Sequence, residues 1–247
     1  MSPSTLFRSS GVALLLGSLL GLAWTAMSAL ILPINNPDQY ASLPFLLTSL
    51  VMLFASMAII AGLVGMYARQ AIPAGWLGFA GFILIFFGML VVGVGFGLIS
   101  ATVIPWLTTH APNLLAGELP PLLNVFIIVA ILMVVVGTIP LGVATMRAGI
   151  LPRWAGLLLI ISGVAGLVVI APLSALVRNI LAGVSAVTFF LGLAWIGYAL
   201  WSERERRVEE VQVPDVATAE VSDAAPAEVS DVATAEVSDV ATAEVSD

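Results

Sequence analysis

The chain has 247 residues, 60% of them hydrophobic and only 9% charged, with a mean hydropathy of +1.12. A water-soluble single domain of this size does not carry that composition, so lipid must be its solvent. The absence of cysteine excludes disulfides, thiolate metal sites and cysteine nucleophiles together.

Crossing a hydrocarbon core of about 30 Å takes roughly 20 apolar residues in a helix. The apolar runs predict six such spans, near Gly11–Ile31, Leu46–Tyr67, Trp76–Ile99, Leu122–Met146, Trp154–Leu176 and Ile180–Trp201. The runs are continuous rather than alternating, which argues against a barrel, and an open sheet would leave its edge amides unpartnered in lipid. The expected fold is therefore all-α: a polytopic membrane protein with a six-transmembrane-helix bundle over residues 1–207 and a tail over 208–247. The first run, at about 20 residues, exceeds the usual apolar region of a signal peptide, so it reads as a span rather than a cleaved leader.

Orientation rests on arginine, since the chain has no lysine. Arg8 precedes the first span, Arg69 lies between the second and third, Arg147 and Arg153 between the fourth and fifth, and Arg204, Arg206 and Arg207 after the sixth. Positive charge stays inside, which predicts a bacterial cytoplasmic membrane location with both termini cytoplasmic. Arg178 is the exception, in the turn between spans five and six. Tyr67, Trp76, Trp154, Tyr198 and Trp201 fall near the arginine-rich interface, and Tyr40 and Trp106 near the other, where aromatic rings anchor spans at headgroup depth.

Glycine marks the expected packing faces. Gly17 and Gly21 form a GxxxG pair in span one, Gly62 and Gly65 belong to small-xxx-small pairs with Ala58 and Ala61 in span two, and Gly81, Gly88 and Gly95 recur every seven residues in span three. Gly156 and Gly163 repeat that spacing in span five. Such residues let helix backbones approach closely in lipid. The run Gly93-Val94-Gly95-Phe96-Gly97 is no nucleotide loop, because it lies inside a span with no preceding strand. Pro140 and Pro172 are expected to kink spans four and five.

Two cytoplasmic hairpins share one plan: Arg69, Ile72, Trp76, Gly78 and Gly88 have counterparts at Arg147, Ile150, Trp154, Gly156 and Gly166, each pair 78 residues apart. Duplication and convergent hairpin punctuation both remain open. The segments MYARQAIPAGWLGFAGF and ATMRAGILPRWAGLLLI resemble segments of uncharacterised multi-pass bacterial inner-membrane proteins, several of them domains of unknown function. That resemblance, over spans two to five, implies a bacterial inner-membrane location; no activity, cofactor or site residue comes with it.

After Arg207 the composition changes. An acidic octad runs from Asp215 as DVATAEVS, DAAPAEVS, DVATAEVS and DVATAEVS, closed by Asp247. The formal charge of −7 is thus +4 over residues 1–207 and −11 over the tail. A period of eight collects no apolar face on helix or strand, so this low-complexity segment is expected to be disordered. It reads as a solvated tail, or as an acidic arm for a basic partner.

The chemistry-bearing residues are few. The intramembrane polar residues include Ser56, Asn124, Thr138, Ser162, Ser185 and Thr188, with no ionisable group at mid-depth for a proton- or ion-coupled carrier. No GxSxG elbow accompanies the serines, and the lone His110 cannot hold a haem by two histidines. Asp38, His110, Glu118 and Arg178 make a candidate outer-face polar cluster, whose spacing supports neither a metal site nor more than a weak wet ion pair. The sequence therefore predicts no catalytic, cofactor or metal residues. Its expected partners are the lipid bilayer and other membrane-protein helices, with no nucleic acid. The leading expectation is a non-catalytic accessory or scaffold subunit packing through glycine faces; the alternative is a passive transporter or channel for a small neutral or apolar solute.

Overall fold

The computed structural model describes residues 3–31, 37–115, 120–168 and 174–212. Among them every regular element is helical: α1 (Pro3–Ile31), a short 3-10 helix (Pro37–Ala41), α2 (Leu43–Met89), a π-helical turn (Leu90–Gly95), α3 (Phe96–His110), α4 (Pro112–Leu115), α5 (Pro121–Ala148), α6 (Arg153–Val168) and α7 (Ala175–Gln212). This is an all-α polytopic bundle. Four stretches are long and apolar enough to cross a membrane: Thr5–Leu30, Leu43–His110, Pro121–Ala148 and Ala175–Ser202.

The stretch Leu43–His110 is two spans, because Gly75 breaks α2 with φ 57° and ψ −160°, a backbone region open essentially to glycine alone. Contacts on either side of the bend confirm the reversal. Tyr67 stacks on Phe82 with ring centroids 4.7 Å apart, Ser56 lies against Gly93, and Leu53 against Gly97, so each step back along the first arm (residues 43–74) matches a step forward along the second. The other hairpin turns differently: α5 ends on Gly149 in the left-handed conformation, φ 66° and ψ 4°, and α6 starts four residues later. At 16 residues, α6 is about 24 Å long. The rest of its expected span, with Pro172, lies outside the described residues.

The segments close into a ring. Gly17 and Gly62 join α1 to the first arm of α2, facing Ile59 and Leu14; Gly81 and Gly88 join the second arm to α5, facing Leu141 and Val134; Gly156 and Gly163 join α6 to α5. Gly192 sets α7 against Ala155 and Leu159 of α6, and Gly197 sets it against Leu15 of α1. The first arm packs on the second as described, and so each of six segments touches the next, all antiparallel. The approaches are close: a β-carbon at Gly81 would lie 2.5 Å from the Leu141 amide nitrogen and one at Gly62 2.6 Å from Leu14 Cβ. Gly21 lies under the Phe190 ring and Gly65 under Ser10.

Gly95 departs from the expected stripe. A β-carbon there would meet nothing nearer than the Leu90 carbonyl of its own helix, at 3.6 Å. The π turn over Leu90–Gly95 holds an extra residue, which rotates everything after it by about 100°. Packing passes instead to Gly93 and Gly97, on the opposite neighbour. The glycines equated by the 78-residue repeat are also not equivalent in packing. Gly78 and Gly88 reach α5 across to the other hairpin, whereas Gly156 and Gly166 reach α5 within their own.

Solvent logic is inverted relative to a soluble protein. Leu16, Phe54, Val64 and Val125 are at least half exposed, while Ser18, Ser56, Gln70, Thr138 and Thr145 are almost fully buried; apolar chains face lipid and small polar residues face helices. The arginine-rich end is packed solid by Leu14, Ile59, Leu63, Met66, Ile85, Leu141, Leu159, Leu193 and Ile196, all buried. Exposed Trp76, Trp154 and Tyr198 rim that end, and Trp106 and Tyr40 the other.

Two expectations about boundaries change. The stretch after Ile99, expected to lie between spans three and four, is helix as far as His110, packed on Pro37–Ala41 and running through Pro105. Pro140 likewise sits inside α5 without ending it. At the other end α7 continues to Gln212, beyond the boundary expected at Arg207, because Glu and Arg there are strong helix formers. The compact bundle is Met1–Arg204, with Glu205–Asp247 a separate unit. The octad repeat itself lies outside the described residues.

The two kinds of glycine separate experimentally. Gly81→Val forces a branched chain into the α5 backbone and is expected to cost about 1–3 kcal/mol, whereas Gly95→Ala, in open space, is expected to be neutral or to add up to about 1 kcal/mol through helix propensity. Thermal unfolding in one mild detergent checks both.

Candidate functional site

Inside the ring, on the side away from the solid apolar plug, is a cavity of about 280 Å³. All six segments wall it: Gly21 and Trp24 from α1, Ser56 from the first arm of α2, Met89 and Gly93 at the end of the second, Thr138 from α5, Ser162 from α6, and Ser185 and Phe189 from α7. Gly21 is thirteen residues beyond Arg8, about 20 Å along the axis, and Ser162 is nine beyond Arg153, about 14 Å. The cavity therefore starts near mid-depth and extends towards the arginine-poor end. Ile131 and Ala182, also in its wall, are exposed.

Its polar side-chain groups are four hydroxyls and the Trp24 indole N–H. Ser56 Oγ donates to Met52 O at 2.8 Å, and Thr138 Oγ1 to Val135 O at 2.7 Å. Ser162 Oγ donates to Ser185 O and Ser185 Oγ to Ser162 O, each at 2.8 Å, a reciprocal clasp between α6 and α7. Three hydroxyls sit over a glycine of the facing helix: Ser56 over Gly93, Thr138 over Gly163 and Ser185 over Gly166. The missing β-carbon is what admits the oxygen. Chemically the site offers an apolar wall with a few oxygens and no charge, which can hold a neutral, mainly apolar molecule.

Of the intramembrane polar residues read from sequence, Ser56, Thr138, Ser162 and Ser185 meet here, each satisfied by a carbonyl as expected. Thr188 donates to Val184 O at 2.7 Å outside the cavity wall, and Asn124 is exposed near the start of α5. The packing glycines are spread through the bundle, with only Gly21 in the cavity wall.

Of the expected outer-face cluster, only His110 and Arg178 have described side chains. His110 stacks on Trp106 of its own helix, centroids 4.9 Å apart, with Nδ1 2.7 Å from Thr109 Oγ1. Arg178 is exposed at the start of α7. The side chain of Asp38, and Glu118 entirely, lie outside the described residues, and no group of three metal-ligating side chains occurs among those described. At the opposite end Arg8, Arg147 and Arg153 are exposed and the Arg69 guanidinium lies 5.8 Å from the Phe7 ring centre, within cation–π range. The side chains of Arg204, Arg206 and Arg207 lie outside the described residues.

Sequence reading passed over Gln70 as a loop residue, yet it is fully buried. Its Nε2 donates to Thr145 Oγ1 at 3.3 Å, tying the first hairpin to α5, while Oε1 has no partner among the described residues. Its place next to Arg69 hid it; only the antiparallel docking of α2 on α5 buries it.

Compared with known proteins, the chain matches no family model, no curated protein and no solved structure.

Gln70→Leu removes one long hydrogen bond together with an unsatisfied buried carbonyl, whose burial costs about 1–3 kcal/mol. Equal or higher stability is expected, and Gln70→Glu is expected to lose several kcal/mol by burying a charge; detergent melts of both variants compare them. Arg178→Gln, at an exposed position, is expected to stay within about 0.5 kcal/mol of the parent in the same assay.

Proposed function

We propose that this chain is a non-catalytic integral membrane protein that binds a small, neutral, mainly apolar solute in its central cavity and passes it without ion coupling. The observation that carries this reading is the mid-depth cavity of about 280 Å³ walled by all six segments. For scale, an apolar cavity of roughly 150 Å³ holds benzene, and ligand pockets usually begin near 300 Å³. Sites at the bilayer midplane between helical hairpins are where passive and coupled carriers hold their cargo. No Asp, Glu, Lys or Arg lines it, so no ion gradient has a group to act on.

The solid apolar plug beneath the cavity favours a binding site that must rearrange to release its cargo over an open channel. The scaffold reading asked for glycine faces free to meet another protein. Gly17, Gly62, Gly81, Gly88, Gly156 and Gly163 all meet helices of this same chain, while Gly95 has nothing from another helix against it, so the cavity rather than the glycine faces carries the proposed function. Location in a bacterial cytoplasmic membrane with both termini cytoplasmic belongs to the same proposal. It is supported by Arg8, Arg69, Arg147 and Arg153 at one end of the bundle and Arg178 at the other, under the positive-inside rule.

Trp24, in the cavity wall, is a built-in reporter once the exposed Trp76, Trp106, Trp154, Trp195 and Trp201 are replaced by Phe. Titrating 1-bromodecane into this variant in nanodiscs is expected to quench Trp24 saturably, and adding Ala186→Phe, which fills the cavity from α7, is expected to leave only the linear quenching of membrane partition. Linear quenching in both proteins would sink the reading.

A further inference from the structure

The hydroxyls of the cavity carry information about which neutral solute fits. A hydroxyl has one proton and two acceptor lone pairs. The protons of Ser56, Thr138, Ser162 and Ser185 are all engaged by backbone carbonyls at 2.7–2.8 Å, so these side chains can offer a ligand only acceptors. The remaining polar hydrogen among the lining side chains is the Trp24 indole N–H. Such a wall is mismatched to a carboxylate or phosphate, which bring only further acceptors and a charge, and it gives an ether or ketone a single partner at most. A hydroxyl on the ligand fits it from both sides: it donates to a serine or threonine oxygen and can accept from indole.

We propose that the cavity selects a small neutral alcohol, an apolar body of about twice the size of benzene by cavity volume ending in one hydroxyl group. This rests on the solute-binding reading and names its ligand class. The foremost binding oxygen is that of Ser185, the half-buried one of the four, which lies by Gly166, while those of Ser56 and Thr138 are almost fully buried against Gly93 and Gly163 at the edge of the wall. Because their protons are already satisfied, an empty or ether-filled site leaves no hydroxyl donor unpaired, and the selectivity is correspondingly modest. One hydrogen bond corresponds to about fivefold in affinity, far below the discrimination of sites whose own polar groups go unpaired without the ligand hydroxyl.

The test compares two isomers of one formula, 1-decanol and methyl nonyl ether, on the full-length protein in nanodiscs of fixed lipid composition, at equal concentrations in the membrane. The rise in Tm with ligand concentration reports affinity, since a ligand that binds only the folded state stabilises in proportion to ln(1 + [L]/Kd). Subtracting the rise seen with a cavity-filled variant, Ala186→Phe or, if that does not fold, Ala182→Phe at the exposed edge, removes effects on the bilayer. The expected result is about fivefold tighter binding of the alcohol, a preference that Ser56→Ala, Thr138→Val or Ser185→Ala reduces towards one in at least one case. Equal binding of the two isomers, or a preference untouched by all three substitutions, overturns the alcohol assignment while solute binding stands. If neither isomer stabilises the parent beyond the filled variant, the solute-binding reading falls with it.

Discussion

Close backbone approach at glycine is the contact on which this bundle depends. In lipid there is no hydrophobic force to press helices together, because acyl chains solvate leucine as well as another helix does, and association rests on dispersion at short range and a few hydrogen bonds. The chain answers by placing a glycine at nearly every junction of the ring, from Gly17 and Gly62 between α1 and α2 to Gly192 and Gly197 on α7. Polar groups obey the same solvent. Each serine and threonine near mid-depth donates to a carbonyl one turn back or across to the facing helix, as backbone and side chain must find partners inside the protein.

The cavity is a product of those same rules acting unevenly along the bundle axis. At the arginine-rich end, large aliphatic side chains fill the space inside the ring. Further along, large residues such as Trp24, Met52 and Phe189 share the wall with Ser56, Gly93, Thr138, Ser162, Gly166 and Ser185, and these small residues leave the space between them unfilled. The π turn at Leu90–Gly95 belongs to this change: it turns the second arm of α2 from α5 towards the first arm and brings Gly93 into the wall. Turns of this kind often occur at functional sites. Here its effect is to rephase the packing face halfway across the membrane.

Arg69 and Gln70 show how far linear reading reaches. The arginine, by its charge, announces a membrane interface from sequence alone. The glutamine beside it looks like a loop residue, but four residues of helix remain before Gly75 bends the chain, and Gln70 on that last turn points into the α2–α5 junction. Gly95 fails in the opposite sense. Its seven-residue spacing from Gly88 reads as continuous packing, yet spacing predicts a face only while the helix keeps 3.6 residues per turn, and one π turn ends that.

What the sequence determined by itself is the class of solvent and the all-α topology: runs of about 20 apolar residues can satisfy their amides in lipid only as helices, and the arginines and tryptophans bracket those helices at the interfaces. It also determined that no ionisable group stands at mid-depth. Which helices are neighbours, that the ring closes through α1 and α7, and that four hydroxyls scattered from Ser56 to Ser185 share one cavity were decided only by tertiary structure. The reason is physical: apolar helices present similar surfaces all round to lipid, so periodicity marks no inward face, and only the mutual fit of glycine against its neighbour selects one.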